Sequence, residues 1–241
     1  MDNQSYYDVM SEGYENERHQ GYHVFLDDAE VKSIVDLVRG KAVLEVGCGT
    51  GLILSRLAPI ASHLTGVDLS AGMLEKARGR GLAVVQANAL TLPFPDASFD
   101  VAVSFKVLAH IEDIRGAVSE MCRVVKPGGY VAAEFYNKHS IRSLIKYMKK
   151  PSPIGQGVAD TDVYTRYDSL KAASSHFPVG MEVVRVRGIR TVIPAAAVMK
   201  IPGLASVLAW QDGIVGRTPF GRFGGFLVVI ARKGNLSSSS N

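Results

Sequence analysis

Between Val43 and Gly51 the chain reads Val-Leu-Glu-Val-Gly-Cys-Gly-Thr-Gly, a short apolar run that breaks into three glycines spaced two apart. The run has the length and the aliphatic content of a strand buried on both faces. Glycines at 47, 49 and 51 permit positive φ and let the backbone come close to a ligand. A glycine turn at the carboxyl end of a first strand is where open α/β sheets hold ligands. Seventeen residues past Gly51, Asp68 closes a second apolar stretch in Gly-Val-Asp-Leu-Ser. A carboxylate there can accept from both hydroxyls of a ribose in charge-assisted hydrogen bonds.

The flanking pattern agrees with a parallel sheet. Helices are predicted over 52–61, 71–79 and 113–125, and strands over 42–46, 63–67, 82–86, 100–104 and 129–136. Strands alternating with helices imply crossover connections. Ahead of this series residues 6–39 are predicted helical, with Asp27 and Asp28 capping a helix that carries Val31, Ile34, Val35 and Val38 before Gly40. Beyond residue 136 come a basic helix (138–150), a Pro- and Gly-containing loop (151–163) and a helix capped near Asp168. Two β-rich runs, 181–193 and 226–232, then flank an apolar insertion at 194–222. With no full crossover helix between them, these two strands are expected to form an antiparallel edge pair.

Composition narrows the classes. Cys48 and Cys122 are the only cysteines, too few for a disulfide framework and without zinc-ligand spacing, so a reducing cytoplasm and no metal are expected. The first 30 residues hold eight acids and one base with no apolar core, unlike a secretory leader. The longest apolar stretch is broken by Lys200, Pro202 and Gly203, so no transmembrane segment is expected. Residues 115–241 carry eighteen bases against seven acids. That excess suits an anionic substrate, a membrane surface or plain solvated charge. No RNA-recognition, zinc-finger or helix-turn-helix pattern is present, which argues against a nucleic-acid partner.

A dinucleotide fingerprint would need its third glycine at position 52, which is Leu52. The spacing here is Gly-x-Gly-x-Gly, with Glu45 two residues ahead. Residues 40–136 resemble the class I S-adenosylmethionine (SAM)-dependent methyltransferases, particularly the ubiquinone/menaquinone-type subgroup. The likeness runs through Val43 to Gly51, Gly66 to Ser70 and Leu-Pro-Phe-Pro-Asp-Ala-Ser-Phe (92–99). It continues through Val107-Leu-Ala-His110 and Arg123-Val-Val-Lys-Pro-Gly-Gly129.

The resemblance implies an α/β, Rossmann-like, seven-stranded, mostly parallel sheet with helices on both faces, an antiparallel edge hairpin and helical lid insertions. One domain would cover 1–235: an N-terminal lid (1–39), a SAM-binding core (40–136) and substrate-side insertions (137–165 and 194–222). A disordered tail would follow at 236–241. It further implies that Gly47, Cys48, Gly49 and Gly51 lie along the methionine part of SAM and that Glu45 helps hold its ammonium group. Asp68 takes the ribose hydroxyls, Leu69 and Met73 flank the adenine, and Asn88, Ala89 and Leu90 read its edge. Phe105 lies near the sulfonium, and Tyr7 and Tyr14 approach from the lid. Asn88 departs from the family's usual Asp, although an amide oxygen can still accept a hydrogen bond.

The implied activity is methyl transfer from SAM to an O, N or C atom of a small-molecule acceptor, leaving S-adenosylhomocysteine. A base is needed only where the acceptor must lose a proton, and His110 and His139 are the candidates, with Glu134 and Tyr136 near the same strand end. Lys138, Arg142 and Lys146 share one face of the basic helix, solvated or facing an acidic substrate or membrane. Trp210, Phe220 and Phe223 are expected to line a pocket for a lipophilic acceptor. The chain would work as a monomer or homodimer. Methylation of tRNA or protein, a non-catalytic SAM-binding role and a dehydrogenase are the alternatives. The segment Ser104-Phe-Lys-Val107 lacks the Asp/Asn-Pro-Pro-aromatic sequence of nucleic-acid amino-methylating enzymes.

Overall fold

The structure, a computed structural model, describes residues 3–11, 13–15, 18, 21–148, 164–193, 198–199, 201 and 203–235. The loop expected at 151–163 and the tail at 236–241 lie outside the described residues.

Seven strands form one sheet in the order β3-β2-β1-β4-β5-β7-β6. They are β1 (Ala42–Val46), β2 (His63–Asp68), β3 (Val84–Gln86), β4 (Phe99–Ser104), β5 (Val125–Tyr136), β6 (Met181–Ile189) and β7 (Phe226–Lys233). The first five run parallel, and β7 inserts antiparallel between β5 and β6. The expected sheet and its antiparallel edge are therefore present. Strand order reverses between β1 and β4, which opens the crevice where ligands bind such sheets.

The helices are α1 (Asn3–Ser11), α2 (Gly21–Val38), α3 (Leu52–Leu57), α4 (Ala71–Gly79), α5 (Ile114–Val124), α6 (Ile141–Met148), α7 (Leu170–Ser174) and α8 (Leu204–Val215). Strand alternation sorts the core into two layers. Leu44, Val46, Ala102, Val131, Ala133 and Phe135 pack with Val118 and Met121 of α5. Val43, Val101, Val103 and Ala132 pack instead with Ile34 and Val38 of α2 and Leu57 of α3. Glu45 and Glu134 share the parity of the second set, so β1 and β5 each send a carboxylate toward α2.

Several boundaries differ from expectation: α3 ends at Leu57, β3 starts at Val84 and β5 starts at Val125, and three others have a clear local cause. Asp27 and Asp28 sit inside α2, which starts at Gly21, and Asp27 is buried against cations instead of capping. Helix α6 begins at Ile141 because Asn137 holds a turn ahead of it: its oxygen accepts from the His139 N–H, and its amide donates to Arg222 and Gly224 carbonyls. Strand β6 stops at Ile189, since Arg190 turns through positive φ (59°).

Four glycines let β6, the end of α8 and the 3-10 turn Pro219–Phe223 touch backbone to backbone. A Cβ on Gly188 would lie 2.1 Å from the Gly221 carbonyl oxygen, and one on Gly216 would lie 2.1 Å from that of Gly188. A Cβ on Gly221 would lie 2.4 Å from the Gly216 carbonyl oxygen, and one on Gly224 would meet backbone at 3.0 Å. Gly188→Ala should cost about 3 kcal/mol or more in a denaturant melt, because backbone cannot yield to the added methyl. Gly213→Ala, in α8 with nothing within 4 Å of the added Cβ, should instead stabilise by roughly 0.5–1 kcal/mol. Equal effects at the two positions would contradict this packing.

Candidate active site

The glycine loop hangs from the end of β2. Both the Gly47 and Cys48 N–H groups donate to the Val67 carbonyl, at 2.7 and 2.9 Å. Gly47, Gly49 and Gly51 all have positive φ (77°, 52° and 83°), but they serve different ends. A Cβ on Gly47 would strike the Val107 side chain at 2.3 Å, and one on Gly51 would strike Leu82 at 2.4 Å. A Cβ on Gly49 would meet nothing within 4 Å. Gly49 faces open space, and that space is the crevice.

Asp68 fixes the loop. Its carboxylate accepts the Gly49 N–H at 2.8 Å through one oxygen and the Ser70 N–H at 3.0 Å through the other. Burial raises the Asp68 carboxyl above its ordinary value, and the Ser70 and Gly49 N–H groups oppose that rise. A carboxylate has about four lone-pair sites, so each oxygen keeps capacity for a hydroxyl donor. Ser70 then caps α4 by accepting the Met73 N–H at 3.2 Å. Helix α1 joins here too: its Asp8 accepts from the Ser70 hydroxyl and from the Gly72 N–H.

A cavity of about 920 Å³ opens beside the loop. Tyr7, Tyr14, Glu45, Gly47, Cys48, Gly49, Asp68, Leu69, Met73, Asn88, Ala89, Leu90, Phe105 and His110 all line it, as expected. Two expected residues do not. Gly51 starts α3 and shapes the turn from behind. His139 is exposed and no part of the wall, because the Asn137 turn carries it outward. Trp210, Phe220 and Phe223 are also absent from the walls. The Asn88 oxygen accepts the Leu90 N–H at 2.9 Å, so half its capacity is used in a local turn. Cys48 is buried and burial pushes its thiol up, which suits packing and not nucleophilic chemistry.

Asp27, Glu45 and Lys106 line the same cavity and belong to a buried charge cluster that single motifs do not reveal. Lys106 adopts positive φ (61°) after β4, and its ammonium contacts Asp27 at 2.7 Å and Glu30 at 3.0 Å, both on α2. Its backbone N–H donates to Glu134 at 3.1 Å. Burial alone would lower the Lys106 pKa, but Glu30 and Asp27 hold it above its usual range. Burial raises the Glu45 and Glu134 carboxyls well above theirs, with Glu30 adding to each. Glu45 Oε2 is buried with no hydrogen-bond partner among the described residues. An orphaned acceptor costs roughly 1–3 kcal/mol, and an ammonium donor arriving at the glycine loop would satisfy it. The residues present therefore fit SAM: a glycine cradle open at Gly49, a ribose-compatible carboxylate and a partnerless carboxylate beside them.

At the far wall His110 Nδ1 lies 2.9 Å from the Tyr164 carbonyl oxygen. A carbonyl only accepts, so Nδ1 carries the proton and the neutral ring has its lone pair at Nε2. Nε2 faces the Tyr136 hydroxyl at 3.4 Å. Arg142 of α6 turns inward, with its guanidinium 4.4 Å from the Tyr136 ring centre and 4.7 Å from that of Phe226. Of the readings open for the basic face, solvent does not hold for Arg142, while Ile141 and Leu144 are exposed; the Lys146 side chain lies outside the described residues.

Asp68→Ala removes the acceptor for two loop amides and the ribose-facing charge. It should weaken SAM binding at least tenfold, about 1.4 kcal/mol, by calorimetric titration; an unchanged affinity would remove Asp68 from the site. The buried acids also set a pH dependence. Glu30 is raised by burial from 4.5 to about 7. Between those values the folded protein holds a proton that the unfolded chain has released. This contribution is present at low pH and is lost as pH rises through the window. The melting temperature of the SAM-free protein should fall from pH 5.5 to pH 8, less steeply in Glu30→Gln; a flat or rising profile in the wild type contradicts a buried, proton-retaining cluster.

Comparison with known proteins agrees with this geometry. Residues 44–133 match a methyltransferase domain family. An uncharacterized methyltransferase of Mycobacterium tuberculosis is 38% identical over 107 residues, 43% of this chain and 54% of that protein. The chain thus spans about half the length of the first curated relatives it matches. The demethylmenaquinone methyltransferase of Bacillus cytotoxicus is 30% identical over 194 residues, 75% of this chain and 79% of that one. Among solved structures, a SAM-dependent methyltransferase of Thermotoga maritima superimposes with a TM-score of 0.70 at 22% identity, covering 94% of this chain and 98% of its own. That likeness shows the fold. With the cradle, the carboxylate at the end of β2 and a relative matched along most of its length, the chain belongs to the class I SAM-dependent methyltransferase family.

Proposed function

We propose that this protein transfers a methyl group from SAM to a hydroxyl oxygen of a small-molecule acceptor, with His110 as the base. The observation that carries the reading is the His110–Tyr164 contact. It leaves the lone pair on Nε2, beside the Tyr136 hydroxyl, and both residues line the cavity that the glycine loop also lines. SAM supplies an electrophilic methyl on its sulfonium and leaves as S-adenosylhomocysteine. Gly47 and Gly49 cradle its methionine end, Asp68 its ribose, and Leu69, Met73, Asn88, Ala89 and Leu90 its adenine, while Glu45 meets its ammonium. Tyr7 and Tyr14 close the site from the lid side.

Holding acceptor and methyl in line accounts for most of the rate, since proximity and alignment supply roughly 7–11 kcal/mol. His110 Nε2 takes the hydroxyl proton as the new O–C bond forms, worth roughly 10²–10⁴-fold. The Tyr136 hydroxyl beside Nε2 is held neutral, since burial pushes its pKa up to about 12. A compact acceptor suits a cavity of about 920 Å³. The relative named for demethylmenaquinone supports an acceptor of small-molecule class, and no oligonucleotide motif speaks for another.

A panel of phenols and aliphatic alcohols incubated with methyl-labelled SAM tests the reading. His110→Ala and His110→Gln should keep SAM affinity within about twofold while single-turnover transfer to any accepted alcohol falls roughly 100-fold or more. Wild-type rates in both variants would remove His110 as the base. SAM binding without transfer to any alcohol, with label appearing on tRNA or protein, would instead support a macromolecular acceptor.

A further inference from the structure

Helix α8 is apolar on both sides. Its inner side packs Ala205, Leu208 and Ala209 against the α2 layer and buries Asp212. Its outer side presents Leu204, Val207, Trp210 and Ile214, which are 38, 51, 67 and 48% exposed. Their spacing of three, three and four residues puts them on one stripe. The turn that follows adds Phe220 and Phe223, 67 and 45% exposed, and Ile201 precedes the helix at 50%. Asp212 is the one charged residue of α8, and its carboxylate is consumed inside by the N–H groups of Arg190, Thr191 and Val192. A helix that faces water carries charge on its outer face. This one carries none, so its outer face is built to meet something apolar.

The border of the patch is cationic. Arg217 and Arg222 are exposed on either side of Phe220, and the Arg222 guanidinium lies 4.8 Å from the Phe223 ring centre. Arg187, Arg217 and Lys32 line a cleft of about 120 Å³ between α2, β6 and the end of α8. No ion pair joins Arg187 or Arg217 to a carboxylate among the described residues, while the neighbouring acids are engaged: Asp36 with Arg185, Asp28 with Arg56. Two unneutralised arginines beside a tryptophan and two phenylalanines match the headgroup–acyl boundary of an anionic bilayer. There the rings enter the interface, and the guanidinium groups reach the phosphates.

We propose that the outer face of α8, with the turn at Phe220 and Phe223, docks this protein on an anionic phospholipid membrane. A second copy fits less well. A two-fold contact sets the patch against itself and brings like-charged arginines together, whereas a negative lipid surface complements them. The proposal is independent of the methyl acceptor and of His110.

Trp210 is the only tryptophan of the chain, so its emission reports on this face alone. Vesicles of equimolar phosphatidylcholine and phosphatidylglycerol should blue-shift the emission and co-sediment the protein; pure phosphatidylcholine vesicles should do so weakly, and 0.5 M NaCl should release the bound fraction. Arg217→Glu with Arg222→Glu, and separately Trp210→Ala with Phe220→Ala and Phe223→Ala, should each reduce partitioning roughly tenfold or more. SAM affinity should be retained, which confirms that the variants fold. Absence of binding to the mixed vesicles overturns the proposal. So does equal binding to both vesicle types, or a lipid-free blue shift that grows with protein concentration alongside a dimer in analytical ultracentrifugation, which would make the occupant a second copy.

Discussion

One carboxylate ties the working parts of this molecule together. Asp68 accepts from Gly49 on one side and Ser70 on the other, so the turn after β1 and the start of α4 are held as one unit. The same carboxylate cannot be moved without freeing both amides. Through Ser70 the constraint reaches Asp8 on α1. A ribose bound at Asp68 would therefore be sensed by the glycine loop, by α4 and by α1.

A second constraint comes from burying more acid than base. Sheet parity sends Glu45 and Glu134 to the side where α2 brings Asp27 and Glu30; the Lys106 ammonium pairs with Asp27 and Glu30, and its backbone N–H donates to Glu134. Such an arrangement is expensive in a protein interior unless charges are paired or protonated. Here both remedies operate, since Lys106 pairs with Asp27 and Glu30 while burial favours the protonated forms of Glu45 and Glu134. The consequence is a cluster whose acids are held partly protonated in the empty protein, so that a cationic group reaching Glu45 would favour its ionised form.

The parallel strand series, its antiparallel edge and the crevice at the glycine loop were legible from local signals: glycine spacing, apolar periodicity and a carboxylate at a strand end; most of the other cavity-lining positions came from the resemblance to the methyltransferase family. What was not legible depends on which way a helix is turned. Asp27 looks like a cap beside Asp28, yet tertiary pairing with Lys106 places it mid-helix. His139 and His110 are equivalent as letters; only the turn held by Asn137 sends one outward, and only the Tyr164 carbonyl, far along the chain, fixes the tautomer of the other. The sequence left Arg142 open to solvent, substrate or membrane, and it lines the cavity, while Trp210, Phe220 and Phe223 looked like pocket walls and stand outside. Lys106 carried no motif signal, although a lysine immediately after a buried strand, with acids at 27, 30, 45 and 134 needing a cation, was the available clue.

The most direct measurement is a crystal structure with S-adenosylhomocysteine bound. The account predicts its homocysteine chain against Gly47 and Gly49, its ribose hydroxyls on the Asp68 carboxylate and its ammonium toward Glu45, with the sulfur facing the His110 wall. Ligand bound elsewhere, or a crevice closed over Gly49 at saturating concentration, would contradict it.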